Sequence, residues 1–500
     1  MLIALARAAA GDHQGAQRFF DRALELDPDD PSVLTGLANW YRQRGQLREA
    51  VLACDRAVRV APDYADAWLE RGLALSAGGS SRASRESYAE AARLAPRNAV
   101  AFAGLASQAA RDGDMEAARA AARRSLEIDP TNLIAATALA NALLQDGAVD
   151  DARALLVPLV ASASPGHERS IGLSLLGRVF EKLGDYPKAY ESYALAKQDF
   201  EQVHASLAAG LPGHTVFVES IVSGLEALEP EAFSEIDADR PANAISPHIF
   251  LLGYPRSGTT LVENILASLP GVEALEEWPT LADTDERYLT GDTASIVQGL
   301  KDFATLSGDD RMELRTAYWD RVRSGGISPG ASAFVDMDPL KGTRLPFIAS
   351  LFPGAHILLM RRDPRDVVWS CFKTGFAMTS GTFEYTTLER AARHYDAMMR
   401  LTELALAKLP LSVLQVDYRR LTREFDVATK EICDFIGVDW TPDVRRFDRT
   451  AERRGVGTAS AAQVRQGLYD GSGQWEPFAQ WIEPVMPILA PWVERFGYSS

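Results

Sequence analysis

The run Gly253-Tyr254-Pro255-Arg256-Ser257-Gly258-Thr259-Thr260 directly follows an apolar stretch, Ile249-Phe250-Leu251-Leu252. Its glycines allow a tight turn in which backbone N–H groups converge on an anion, and Ser257, Thr259 and Thr260 add hydroxyls. Arg256, inside the run, brings a permanent charge and a planar fork of donors. A second apolar stretch, Ile357-Leu358-Leu359-Met360, ends in Arg361-Arg362-Asp363-Pro364-Arg365-Asp366. Arginine there suits bidentate binding of a phosphate. Asp363 and Pro364 equally suit the N-cap and first position of a helix, and the two readings are compatible.

These residues need elements to position them. Both apolar stretches fit buried parallel strands. The first turn leads into a helix with Leu261, Ile265, Leu266 and Leu269 on one face. A strand, a glycine-bounded loop and a helix aim a helix N-terminus at a phosphate. The spacing mimics the nucleotide loop G-x-x-x-x-G-K-[ST], but Thr259 stands where that lysine would reach the β- and γ-phosphates of ATP. The expected ligand is therefore a nucleotide with a short anionic head. Leu414-Gln415-Val416-Asp417-Tyr418 reads as a late strand and its exit.

Pro255-Arg256-Ser257-Gly258-Thr259-Thr260 resembles the 5′-phosphosulfate loop of sulfotransferases that use 3′-phosphoadenosine 5′-phosphosulfate (PAPS). Its arginine is similar to that of protein-tyrosine sulfotransferases and of bacterial repeat-linked sulfotransferases. The resemblance covers roughly residues 248–498. It implies that Arg362 and Ser370, eight residues later, hold the 3′-phosphate, and that Glu277, rather than Glu276, is the catalytic base beside Arg256. Tyr418 matches a tyrosine near the cofactor. Thr458–Gln466 with Gly471–Trp475 resembles the family's closing loop, with Ser460 and Arg465 as nucleotide contacts. The product would be PAP, the acceptor a hydroxyl or amine, and a protein tyrosine is one such acceptor. The scheme requires no metal, and no histidine or cysteine shows ligand spacing. One family lysine is replaced by Met337; Lys341 is the neighbouring cation. Two other readings fit the same residues: a P-loop small-molecule kinase, which the missing lysine opposes, and a non-catalytic adaptor with a degenerate nucleotide-binding domain.

The N-terminal part repeats. Pro28, Pro62, Pro96 and Pro130 are 34 residues apart, and Gly11, Gly45, Gly79, Gly113 and Gly147 keep the same step. That period and its contents (Leu34, Leu37, Ala38, Tyr41, Ala50 and Ala57 in one unit) resemble tetratricopeptide (TPR) repeats. The chain is thus expected to be an α-helical TPR solenoid over 1–200, a partial first unit plus five more. A connecting segment over 201–246 follows, then a P-loop-like α/β sulfotransferase domain over 247–500 with a central parallel sheet. The array fits either a concave surface for a peptide or protein or a platform for a homodimer.

Charge and composition exclude some classes. A net charge of −16 argues against a general nucleic-acid binder. No segment offers eighteen uninterrupted apolar residues, so no membrane span is expected. Cys54, Cys371 and Cys433 make no CxxC pair or disulfide pattern, which with the unremarkable N-terminus gives a cytoplasmic expectation.

Overall fold

Five strands form one parallel sheet: β1 His248–Leu252, β2 Val272–Glu276, β3 Ala333–Met337, β4 His356–Arg361 and β5 Ser412–Asp417. The computed structural model describes residues 1–210, 213–229, 241–454 and 467–498. The strands lie in the order β2-β3-β1-β4-β5, with Leu251 opposite both Met337 and Leu358. β1 is buried along its whole length, as the uninterrupted apolar run predicts for a central parallel strand. Alternate residues serve two faces. Ile249, Leu251, Val335, Met337, Leu358 and Met360 meet Leu261, Val262 and Ile265 of one helix and Ile432 of another. On the opposite face, His248 and Phe250 lie against Tyr318 and Phe352.

The strand order fixes the place of the site. The chain leaves β1 towards β2 on one side of the sheet and leaves β4 towards β5 on the other. The loops after β1 and β4 therefore part over a crevice at the carboxyl ends of the strands, which is where open α/β sheets bind ligands.

The chain divides into two compact units, Met1–Asp199 and Phe200–Ser500. The first is a series of paired helices, beginning with Leu2–Ala9 and His13–Leu26 and reaching His167–Leu183 and Tyr186–Ala208. Its period comes from turns: Gly11, Gly45, Gly79, Gly113 and Gly147 all have φ between 74° and 85°, which a side chain resists. Close approach constrains other glycines. A Cβ on Gly72 or Gly104 would come within 2.7 or 2.6 Å of the buried Tyr88 ring. No helix among the described residues is long and apolar enough to cross a membrane.

Residues 201–246, expected as a connection, contain helix α1 (His214–Glu226), which buries Val218, Ile221 and Leu225. Three further helices frame the crevice: α2 Thr259–Leu266, α3 Pro364–Lys373 and α4 Leu388–Lys408.

Candidate active site

Among the described residues, two that are not glycine have positive φ: Arg256 at 72° and Glu277 at 49°. Such conformations cost about 1–3 kcal/mol and concentrate where function demands a geometry. These are the two residues singled out from the sequence as catalytic, one at the exit of β1 and one at the exit of β2.

The loop after β1 is shaped by close contacts. Ser257 N–H donates to the Tyr254 carbonyl at 3.0 Å, and Tyr254 N–H donates to Ser257 Oγ at 3.3 Å. Gly258, the N-cap of α2, has φ 106° and supplies no capping side chain, so the first N–H groups of α2 are not closed off by their cap. A Cβ there would come within 2.7 Å of the Tyr418 ring. Ser257, Thr259 and Thr260 are buried against the loop, while Pro255 and Arg256 are half-buried. Behind the loop, the Tyr254 hydroxyl and His394 Nδ1 are 2.7 Å apart, as are His394 Nε2 and His214 Nδ1. This chain ties α1 and α4 to the loop; sequence reading gave these histidines no role, since 140 residues separate Tyr254 from His394.

The structure brings Arg256, Arg362, Ser370 and Tyr418 together. Arg256 Nε donates to Ser370 Oγ at 3.0 Å. Arg362 donates one terminal nitrogen to the Arg256 carbonyl at 2.8 Å and the other to the Gly471 carbonyl, and its guanidinium lies 4.6 Å from the Tyr418 ring centre. The Nε of Arg362 is buried with no hydrogen-bond partner. A buried unmatched donor on an arginine is costly and marks a place for an acceptor. Burial, and then the charge of Arg362, pull the Arg256 guanidinium below its ordinary pKa. Ser460 and Arg465 lie outside the described residues.

The ends of β2 and β3 are acidic. Glu277 N–H donates to the Met337 carbonyl at 2.7 Å, which fixes the chain as it leaves β2. Burial pushes the Glu277 carboxyl up to about 7; Asp338 and Glu276 add to this and Lys341 opposes it. The residue as a whole is nevertheless exposed, so the group can exchange its proton with solvent. Glu263 of α2, which sequence reading missed, is 1 % exposed and is likewise pushed up to about 7, chiefly by burial. Its partner Arg454 donates to Glu263 at 2.9 Å and also to the Ala274 carbonyl.

The side chain of Met337 lies in the apolar layer with Leu251, Leu261 and Val262. The neighbouring cation is already engaged: the Lys341 ammonium pairs with Asp336 and donates to Thr280 Oγ1 at 3.0 Å and the Trp278 carbonyl at 3.3 Å. Asp336, wholly buried, also accepts from Thr280 and Tyr318. Among the described residues no group of three or more histidine, cysteine or acidic side chains is arranged to hold a metal ion.

Residues 247–442 match the sulfotransferase family, and residues 7–72, 69–132 and 109–169 match tetratricopeptide repeats. The chain thus carries a sulfotransferase-family region behind tetratricopeptide repeats. An uncharacterized protein of Aquifex aeolicus is 28 % identical over 339 residues, 66 % of this chain and 43 % of that one. The chain thus spans less than half the length of that relative. Protein-tyrosine sulfotransferase A of Caenorhabditis elegans is 23 % identical over 296 residues, covering 55 % of this chain and 73 % of that protein. A solved repeat protein, YrrB, titled as having an unusual peptide-binding site, aligns with 36 % of this chain and 91 % of its own at 19 % identity and a TM-score of 0.30. The family match and the tyrosine sulfotransferase relatives support sulfotransferase activity in general.

Proposed function

We propose that the C-terminal unit transfers the sulfuryl group of PAPS to a hydroxyl or amine acceptor and releases PAP. The observation that carries this reading is the crevice between β1 and β4, where Arg256 and the partnerless Nε of Arg362 converge beside the uncapped start of α2. Those donors fit a nucleotide with a phosphate at each end. The loop Pro255-Arg256-Ser257-Gly258-Thr259-Thr260 would hold the 5′ end. Arg362 and Ser370 would hold the 3′-phosphate beside Tyr418, with Ser460 and Arg465 as further contacts. When bound, PAPS supplies a sulfuryl group activated on a phosphate leaving group.

The chain's own residues do the rest. Glu277 accepts the proton of the attacking hydroxyl at a carboxylate oxygen. With a pKa of about 7 it is a much stronger base than an ordinary glutamate and is substantially ionised at neutral pH. Arg256 and the loop N–H groups are preorganised donors, so charge developing on the donor side is met without rearrangement. The proton acceptor and the cations come from different strands, which keeps them from neutralising one another. An anion beside Arg256 and Arg362 also relieves the mutual repulsion of the two guanidiniums.

The acceptor suggested by the tyrosine sulfotransferase relatives is a protein tyrosine, and the repeat array would present such a peptide or protein. Calorimetry with PAP and with ATP, each with and without magnesium, tests the donor. PAP should bind without magnesium and ATP only weakly; tight magnesium-dependent ATP binding overturns the proposal. Incubation with labelled PAPS and fractionated host extract then identifies the acceptor.

A further inference from the structure

We propose that Asp366 is a positioning residue: it fastens the strap 467–475 to α3 and thereby holds Arg362 in the orientation that grips a phosphate. The inference rests on the reading of Arg362 given above. Asp366 is 1 % exposed. Its two carboxylate oxygens accept from backbone N–H groups of the strap, Gly473 at 2.8 Å and Trp475 at 3.1 Å. It is not needed as a helix cap, because Asp363 is the N-cap of α3 and accepts from Arg365 N–H. A buried carboxylate in the first turn of a helix, with both oxygens hydrogen-bonded to a distant segment and its charge facing Arg362, holds that segment in place.

What the strap does is visible in its other contacts. The Gly471 carbonyl accepts from Arg362, and the Tyr469 carbonyl accepts from the Tyr418 hydroxyl at 3.3 Å. Arg365, clamped to Asp363 at 3.0 and 2.8 Å, lies 4.2 Å from the Trp475 ring centre. The Arg362 guanidinium is therefore held between two backbone carbonyls, one from the loop after β1 and one from the strap. Releasing the strap removes one of them, and the fork is left to swing on the Tyr418 face. An arginine that must be ordered at each binding event binds more weakly than one already in place. Ser370 is carried by the same helix as Asp366, so one carboxylate sets the strap, the arginine and the serine in a common frame.

Asp366→Asn tests this. Asparagine keeps the shape but offers one accepting oxygen, and its amide presents hydrogens to the second N–H. In the nucleotide-free full chain, hydrogen exchange of 467–475 should accelerate while α2, β1 and β4 stay protected. PAP affinity should fall about tenfold, the scale of one charge-assisted hydrogen bond. The KM for PAPS should rise by a similar factor while kcat at saturating PAPS stays within about twofold, because Glu277 and Arg256 are untouched. If Asp366→Asn does not fold, Gly473→Ala loosens the strap from its own side, since Gly473 has φ 77° and a Cβ there would come within 3.0 Å of Glu476; the same signature is expected in weaker form. Unchanged strap exchange overturns the inference, and so does unchanged PAP affinity in a variant whose parent binds PAP. A parent chain that binds no PAP overturns the reading of the site itself, and this role with it.

Discussion

At the carboxyl ends of β1 and β4 the sheet edge carries Arg256 and Arg362; at those of β2 and β3 it carries Glu276, Glu277 and Asp338. The two halves differ in how they are held as well as in sign. The arginines are fixed by a serine hydroxyl, backbone carbonyls and an aromatic face. The carboxylates are crowded instead, so that burial and their own repulsion raise Glu277 to about 7. A dianion requires fixed cations, whereas a base working near neutrality must be kept from pairing with one. Parallel strands meet both demands on one edge, because each loop leaves from a different strand end. The nearest lysine to the acidic half, Lys341, is held by Asp336.

The sharpest way to break the contrast is to disable the base. Glu277→Gln should lower turnover by about 10²–10⁴ and leave PAP affinity nearly unchanged. In the parent enzyme, kcat should fall tenfold per unit as pH drops below about 7, since the carboxylate must be unprotonated to act and its pKa is raised to that value. A flat profile between pH 5 and 7 would remove Glu277 from the chemistry.

Lys341→Ala should act on stability rather than on the leaving group. It strands the buried Asp336 carboxylate, and breaking a buried pair costs about 3–5 kcal/mol. Denaturant unfolding of the full chain should show the loss in the transition of the C-terminal unit. If Lys341→Ala is as stable as the parent but nearly inactive, the lysine serves the donor instead.

On the cationic half, Arg362→Ala and Arg256→Ala should each weaken PAP binding by about 1.5–3 kcal/mol, read by calorimetry. Equal affinities for parent and variants would break the assignment. Smallest of all, Glu276→Gln should leave turnover at high pH near the parent's. It removes a negative neighbour of Glu277, so the acid limb of the pH profile should move to lower pH. Unmoved, that limb would show that the two carboxylates do not sense each other.

The repeat array was legible because its turns demand glycine at fixed intervals, and a period in sequence is a period in space. The anion loop and the run after β4 were legible because both sit where a strand becomes a helix, a context written in adjacent residues. Strain was not: nothing in the types of Arg256 or Glu277 announces a positive φ, which the sheet and loop impose from outside. Nor was the fate of Lys341, because its ammonium is engaged by Thr280 and the Trp278 carbonyl, 61 and 63 residues away in the chain, as well as by Asp336. Asp366 stood in plain view inside the basic run, but its partners lie 107 and 109 residues downstream. The acid-side helix residue Glu263 reads as an ordinary polar position in the helix until β2 and Arg454 close over it.

All three cysteines are buried, and burial pushes the Cys54 and Cys433 thiols up to about 12 and about 11. A thiol that does not reach solvent does not react with alkylating reagents. The unmodified chain should therefore be silent to maleimides while folded. One cysteine placed at the half-exposed Ser472, in the strap, would then be the sole handle for a dye, and its emission would follow the strap in real time without any native thiol having to be removed.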